Sequence, residues 1–312
     1  MNILVTGSSG FLGARLVSTL IRKSAYEVSA VVRRKLESHY VKTVIVPDCS
    51  DETAWSHVVR NQRVIIHCAA RAHVMNDSAT DPLTEYRNVN VGGTLKLARQ
   101  AAAVGVKRFI FISSIKVNGD QSPKDHPFTE LDVPNPVDAY GLSKWEAEQG
   151  LLEIAVETGM EVVIIRPSLV YGPGVKGNFA SMIALLGIGL PLPFGTITNK
   201  RSFVGVDNLI DLIITCIAHP AAANQVFLAS DGHDLSTTNL LRGVACAMGK
   251  PARLIPVPSL ILMFGLTCLG KNALAQRALG SLQLDISKAR KLLGWMPPIS
   301  VEEGLRRCFV KE

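Results

Sequence analysis

Tyr140 and Lys144, in Ala139-Tyr-Gly-Leu-Ser-Lys144, are the residues whose types and spacing could do chemistry most directly. Four residues apart on a helix, two side chains share a face, so an ammonium can stand beside a phenol. A neighbouring cation favours phenolate and draws a tyrosine down from its ordinary pKa of about 10. The spacing therefore predicts that Lys144 lowers the pKa of Tyr140 and that the phenol works as acid and base near neutrality. Many solvated helices carry the same pair, so the surrounding elements decide its meaning.

The first of those elements is the amino terminus. A short apolar run, Asn2 to Thr6, is followed by Gly7, Gly10 and Gly13 and then by a helix-like stretch through about Arg22. Strand, tight turn and helix are the setting of a dinucleotide fingerprint: Gly7 for the turn, Gly10 for close approach of backbone to pyrophosphate, Gly13 for packing of helix against strand. Ser9, Phe11 and Leu12 belong to the same turn, whose helix N-terminus faces the phosphates. The second strand, Glu27 to Val32, ends in Arg33-Arg34 where an acidic residue would hold a free ribose 2′-hydroxyl. Two guanidinium groups suit a 2′-phosphate instead, which favours NADP(H) over NAD. A third strand is expected at Val44 to Val46, with Asp48 just past it at the adenine edge.

Thr6-Gly-Ser-Ser-Gly-Phe-Leu-Gly13 together with Tyr140-Gly-Leu-Ser-Lys144 resembles the extended short-chain dehydrogenase/reductases, the group of nucleotide-sugar epimerases, dehydratases and ketoreductases. The resemblance runs nearly end to end, through His67-Cys-Ala-Ala70, Asn90-Val-Gly-Gly-Thr94, Phe111-Ile-Ser-Ser114, Arg166-Pro-Ser-Leu-Val-Tyr-Gly-Pro173 and Leu293-Gly-Trp295. It implies that Ser114, rather than Ser113, and Tyr140 hold the reacting sugar oxygen, while Lys144 binds the nicotinamide ribose. It also implies that Cys68, Ala69, Ala70, Asn90 and Pro167 border the cofactor, with Asn90 supporting the centre from a neighbouring helix. A hydroxyl and a phenol aimed at one oxygen would stabilise the charge that hydride transfer leaves there. Two departures are informative. Where the family's dehydratases carry an Asp-Glu pair this chain has Ile115 and Lys116, which argues against a 4,6-dehydratase, and Asn118 replaces the usual tyrosine of a Val-Tyr-Gly stretch.

The chain as a whole fits these parts. Its 312 residues suffice for an α/β, Rossmann-type doubly wound parallel sheet with a smaller α/β substrate-binding lobe. Runs such as Val64-Ile-Ile66, Phe109 to Ile112 and Val162 to Ile165 are continuously apolar, as strands buried on both faces should be. The expected division gives residues 1–167 and 203–229 to the dinucleotide domain, and 168–202 and 230–312 to the lobe. In that plan Phe203 to Asp207 is a strand, Asp207 caps a helix from Asn208 to His219, and Gln225 to Ala229 is the last strand. A net charge of +7 with a pI near 9.1 comes without a basic run, which argues against nucleic acid and suits polyphosphate ligands.

Six cysteines lack metal-ligand spacing and read as buried thiols of a reducing compartment, so a cytoplasmic location is expected. His67 and Cys68 are expected to pack near the cofactor; His73, His126 and His233 are scattered, and no metal is expected. No signal peptide is expected ahead of the cofactor turn. Leu260 to Leu269 is apolar but too short to span a bilayer, which takes about 20 residues. It is expected as a buried or dimer-facing helix, with peripheral membrane contact as the alternative.

For the lobe, the resemblance implies capture of a UDP-linked sugar by Asn178, by Pro193 and Phe194 as a wall for the base, and by Arg201 and Arg277 at the diphosphate. A homodimer through helices that include the one bearing Tyr140 is implied in the same way. The leading functional expectation is NADPH-dependent reduction of the 4-keto group of a UDP-4-keto-6-deoxy-(N-acetyl)hexosamine in surface polysaccharide or O-antigen synthesis. The alternative is a UDP-glucose or UDP-N-acetylglucosamine 4-epimerase with bound NAD. A dinucleotide sensor without turnover is disfavoured by the presence of Ser114, Tyr140 and Lys144 together.

Overall fold

The computed structural model describes residues 1–34, 41–72, 81–175, 177–268, 270 and 272–310, with the side chains of Asn178, Leu266 and residues 272–274 left out. His73 and Leu269, named above, lie outside these residues. Seven strands form one parallel sheet: β1 (Asn2–Thr6), β2 (Glu27–Val32), β3 (Lys42–Ile45), β4 (Val64–His67), β5 (Arg108–Ile112), β6 (Glu161–Pro167) and, after the short β7 (Leu169–Tyr171) and β8 (Phe203–Gly205), β9 (Gln225–Ala229). Their order is β3-β2-β1-β4-β5-β6-β9. The third strand thus begins two residues earlier than the sequence suggested.

Alternation along the apolar runs explains the layering. Ile3 and Val5, Val64 and Ile66, Ile110, and Val163 and Ile165 enter one core, while Leu4, Ile65, Phe109, Phe111, Val162 and Ile164 enter the other. Successive strand residues point to opposite faces, so a continuously apolar strand must be covered twice. The first face is covered by α1 (Phe11–Arg22) and α7 (Val206–Ala218) and by α11 (Ser287–Leu293). The second is covered by α2 (Ser56–Val59), α4 (Thr94–Ala103) and α5 (Ala139–Thr158). Between α3 (Pro82–Arg87) and α4 the chain makes a π-helical turn, Asn88–Gly93.

A third cluster of apolar side chains gathers Tyr171, Phe179, Leu192, Phe203, Leu240, Val244 and Leu305. It draws on α6 (Asn178–Ile188), α8 (Thr237–Ala247) and α12 (Val301–Arg307), with α9 (Ser259–Cys268) and α10 (Asn272–Leu279) packed on each other beside it. Strand β8 pairs with β7 in a separate two-stranded sheet, and only β9 returns to the main one. Trp295 also returns: it lies in the first core, with its indole Nε1 donating to Asp211 Oδ2 at 3.0 Å.

Three expectations are corrected here. Helix α7 starts at Val206 with Gly205 as its cap, and Asp207 instead joins three segments by ion pairs to Arg15 at 2.7 Å and Arg307 at 2.9 Å. All six cysteines are free, but only Cys216 is buried, and Cys246 and Cys268 are exposed. Helix α9 is not buried: Leu260 is 78 % and Phe264 74 % exposed.

Candidate active site

The cradle at the amino terminus is built by exclusion of side chains. Gly7 has φ +66°, a left-handed conformation that glycine adopts without penalty, and a Cβ there would lie 2.6 Å from the Ala69 amide nitrogen. The turn after β1 therefore touches the loop after β4, at the point where the strand order reverses and ligands of such sheets collect. A Cβ on Gly13 would stand 2.2 Å from the Gly7 carbonyl oxygen, so Gly13 lets the helix close on the turn itself, rather than on the strand. Gly10, whose amide donates to Gly7 O at 2.9 Å, caps α1 without a side chain. The first-turn amides of α1 are thus available to an anion, which is the fit a dinucleotide pyrophosphate requires.

Ser9, Gly10 and Ala70 are exposed around this turn, Phe11, Leu12, Cys68 and Ala69 are half-buried, and Pro167 is buried at the end of β6 opposite Ala229. Arg33 and Arg34 are exposed at the end of β2, and Arg33 is near enough to Cys49 to act on its thiol. The Asp48 carboxylate accepts from Thr53 Oγ1 at 2.6 Å and closes a local turn.

Ser114, Tyr140 and Lys144 converge at the carboxyl end of β5. Ser114 follows that strand and caps a short 3₁₀ turn, Ile115–Val117, accepting from the Lys116 amide at 3.2 Å. Asp138 caps α5 through the Gly141 amide at 2.7 Å, which sets Tyr140 in the first turn facing Ser114. Burial pushes the Tyr140 phenol up to about 12, and hydrogen bonding with Ser114 pulls the other way less strongly. Lys144 is 1 % exposed and its ammonium lies 4.0 Å from the centre of the Phe111 ring. Loss of water lowers the Lys144 pKa to about 7, against the opposing pull of Glu148.

The expected sign for Tyr140 is therefore reversed. Helical spacing does bring the two residues to one face, but desolvation outweighs the cation, whose charge rests on an aromatic face and is not among the groups acting on the phenol.

Asn90 ties the surroundings together. The π-helical turn directs its side chain inward, where Oδ1 accepts from the Arg71 amide at 2.8 Å and Nδ2 donates to Ser143 Oγ at 3.0 Å. The loop after β4 is thereby joined to α5. Tyr86 packs edge-on against Tyr140 with ring centres 6.1 Å apart. His67 is buried between Thr6 Oγ1 at 2.7 Å and Thr94 Oγ1 at 3.0 Å, and burial lowers its pKa to about 3, so it is a neutral element of the core. Among the described residues no group of three His, Cys, Asp or Glu could hold a metal ion.

One structural device was not singled out from the sequence. Glu148, one helical turn beyond Lys144, is 1 % exposed and pairs with Arg166, 4 % exposed, through Nη2 at 2.5 Å and Nε at 3.0 Å. Ser113 donates to the same carboxylate, and Arg166 Nη1 donates to Asn118 Oδ1 at 2.9 Å. Ser113 therefore faces the interior while its neighbour Ser114 faces Tyr140. Asn118, which replaces the family's tyrosine, completes the buried network by donating to Thr129 O at 2.9 Å. The signal in the sequence was the Arg166-Pro-Ser stretch, whose guanidinium ends a strand buried on both faces and so requires an interior anion.

In the lobe, Arg201 is largely buried, donates to Gly280 O at 3.0 Å and feels both Asp120 and Arg277, so the two arginines do lie near each other. Burial lowers the Arg201 pKa. Lys116 forms ion pairs with Asp120 and, at 3.0 Å, with Asp138, linking this region to the cap of the Tyr140 helix. Pro193 and Phe194 are half-buried, and Phe194 packs against the apolar cluster of the lobe. The side chain of Asn178 lies outside the described residues.

A fold of this topology with a glycine cradle and a serine–tyrosine–lysine centre defines an extended short-chain dehydrogenase/reductase enzyme. The profile of the NAD dependent epimerase/dehydratase family matches residues 3–229, and the chain belongs to that family. It is 51 % identical over 307 residues to a UDP-glucose 4-epimerase of Vibrio cholerae, covering 98 % of this chain and 94 % of the relative. It is 27 % identical to N-acetyl-alpha-D-glucosaminyl-diphospho-ditrans,octacis-undecaprenol 4-epimerase of Escherichia coli O157:H7, covering 100 % and 95 %. Among solved structures, UDP-glucose 4-epimerase of Thermotoga maritima with UDP-glucose superposes with a TM-score of 0.77 at 25 % identity, covering 99 % and 97 %. MoeE5 in complex with UDP-glucose and NAD gives 0.77 at 25 %, covering 98 % and 97 %.

Proposed function

We propose that this enzyme is a UDP-sugar 4-epimerase that retains NAD through the reaction. The observation that carries this reading is the 51 % identity, over nearly the whole of both chains, to a UDP-glucose 4-epimerase. The geometry accommodates it. Bound NAD would supply the redox chemistry at sugar C4, removal of a hydride and its return to the opposite face of the sugar. Tyr140 and Ser114 hold the C4 oxygen between them. A phenol kept protonated by burial is the acid that returns a proton to a 4-keto oxygen. Its deprotonated form, favoured when the Lys144 ammonium turns from the Phe111 face toward it, takes the proton in the first half. Arg201 and Arg277 supply the cations for the diphosphate, and Pro193 and Phe194 the apolar wall for uracil, within a lobe drawn from 168–202 and 230–312.

The NADPH-dependent ketoreductase is kept as a second reading because of one observation, the exposed Arg33 and Arg34 at the end of β2. Mass spectrometry of the nucleotide released on denaturing freshly purified protein separates the two. Stoichiometric NAD is expected. Empty protein, or NADP(H) in its place, would overturn the epimerase reading and return the two arginines to a 2′-phosphate.

A further inference from the structure

The lobe presents an apolar surface set in an unusual distribution of charge. From Leu260 on, the exposed residues of α9, Leu260, Ile261, Met263, Phe264, Thr267 and Cys268, fall on one arc of roughly 160°, at about 100° per residue. Leu262 and Gly265 are half-buried on the other side. The extended segment before α9 runs beside residues 190–195, where the Ile255 amide donates to Leu192 O at 2.8 Å and the Gly195 amide to Ile255 O at 2.9 Å. At that edge Ile188 is 67 %, Leu190 56 % and Ile255 48 % exposed. Two cations are interleaved with them: Lys250 Nζ donates to Gly187 O at 2.8 Å and Arg253 Nη1 to Gly189 O at 3.4 Å, and both side chains are exposed.

No aspartate or glutamate occurs from Val162 to Val206 or from Leu235 to Leu284, the stretches that supply this surface. Lys250 and Arg253 are the cations that these stretches expose beside the apolar side chains, among the described residues. A second copy of the chain is a poor occupant, because a two-fold contact sets each patch against itself and would oppose cations to cations with no carboxylate in either stretch. An interleaving of exposed Leu, Ile and Phe with Lys and Arg matches the boundary of an anionic lipid bilayer, where apolar side chains enter the acyl region and cations meet the phosphates. No helix among the described residues is long and apolar enough to cross a membrane, so the contact lies in the plane of the interface.

We propose that the lobe docks on an anionic bilayer surface through the exposed face of α9, with Lys250 and Arg253 binding lipid phosphates beside it. Because α9 packs on α10, which carries Arg277, the docked enzyme holds its substrate lobe next to the membrane.

The test is flotation of the full chain with vesicles of mixed phosphatidylglycerol and phosphatidylcholine, against vesicles of phosphatidylcholine alone, at 50 mM and 500 mM salt. The wild type is expected to float with the anionic vesicles, at least tenfold less with the zwitterionic ones, and less at high salt. Leu260→Asp with Phe264→Asp, and separately Lys250→Glu with Arg253→Glu, are each expected to lower partitioning at least tenfold while bound nucleotide stays as in wild type. Should the apolar variant fail to fold, the charge-reversed one, which alters only exposed side chains, still decides. Wild-type protein that stays at the bottom with anionic vesicles overturns the proposal, as do variants that float like wild type. Light scattering supplies the remaining outcome: a wild-type dimer that Leu260→Asp with Phe264→Asp converts to monomer assigns the face to a second copy instead.

Discussion

Replacement of Glu148 by Gln tests whether the buried ion pair stabilises the packing of the helix that carries Tyr140. Glu148→Gln keeps the shape of the side chain and removes its charge, leaving Arg166 at 4 % exposure with neutral amide oxygens alone as acceptors, that of the new glutamine and Asn118 Oδ1. Breaking a buried pair from one side costs about 3–5 kcal/mol, because the remaining charge is neither hydrated nor compensated. With an unfolding entropy of roughly 2.1 cal/mol/K per residue, a chain of 312 residues melts with about 0.65 kcal/mol/K. The loss therefore corresponds to a fall in melting temperature of about 5–8 °C by scanning calorimetry. The carboxylate also opposes the fall of the Lys144 pKa, so its removal lowers that pKa further below about 7 and reduces the charged fraction at neutral pH. Glu148→Leu with Arg166→Met should recover part of the stability, since an apolar pair of similar volume has no desolvation penalty, although buried Ser113 and Asn118 each lose a partner. A fall of less than about 2 °C in Glu148→Gln, or a double variant no more stable than the single, would refute the argument that the pair is held by mutual compensation.

Two further outcomes follow from the centre itself. Tyr140→Phe removes the acid but keeps the ring against Tyr86, so turnover should fall about 10²–10⁴-fold with bound nucleotide unchanged by mass spectrometry; near-normal turnover would sink the assignment. Lys144 binds a proton in the unfolded chain up to its ordinary value of 10.5 but in the folded chain only up to about 7. Between pH 7 and 9 the unfolded state therefore holds more protons, and stability should rise with pH by on the order of 1 kcal/mol per unit. Lys144→Met should abolish that slope in melting temperature against pH, and an unchanged slope would mean that Lys144 does not carry it.

Much of the fold was legible because it rests on local patterns. The doubly apolar runs at 64–66, 109–112 and 162–165 could only be strands covered on both faces, and the glycines at 7, 10 and 13 marked a turn whose tightness requires the absence of Cβ. Ser114 was assigned to the same centre by the family resemblance, whereas the spacing of Tyr140 and Lys144 placed those two on one helical face. Helical spacing is a property of sequence separation, and it survives folding unaltered.

Tertiary structure alone decided the electrostatics. Spacing predicted a lowered Tyr140, but the sign depends on how much water reaches the phenol and on whether the ammonium faces it or the Phe111 ring. Glu148 reads in sequence as one more helix carboxylate. Its burial became visible only when β6 brought Arg166 beneath α5. Asp207 likewise resembled a helix cap until α1 and α12 carried Arg15 and Arg307 to it. Local pattern fixes which residues share a strand or a helical face, since that follows from bond geometry. The charge state and partners of a buried group depend on solvent exclusion by segments distant in the chain, which only the assembled fold supplies.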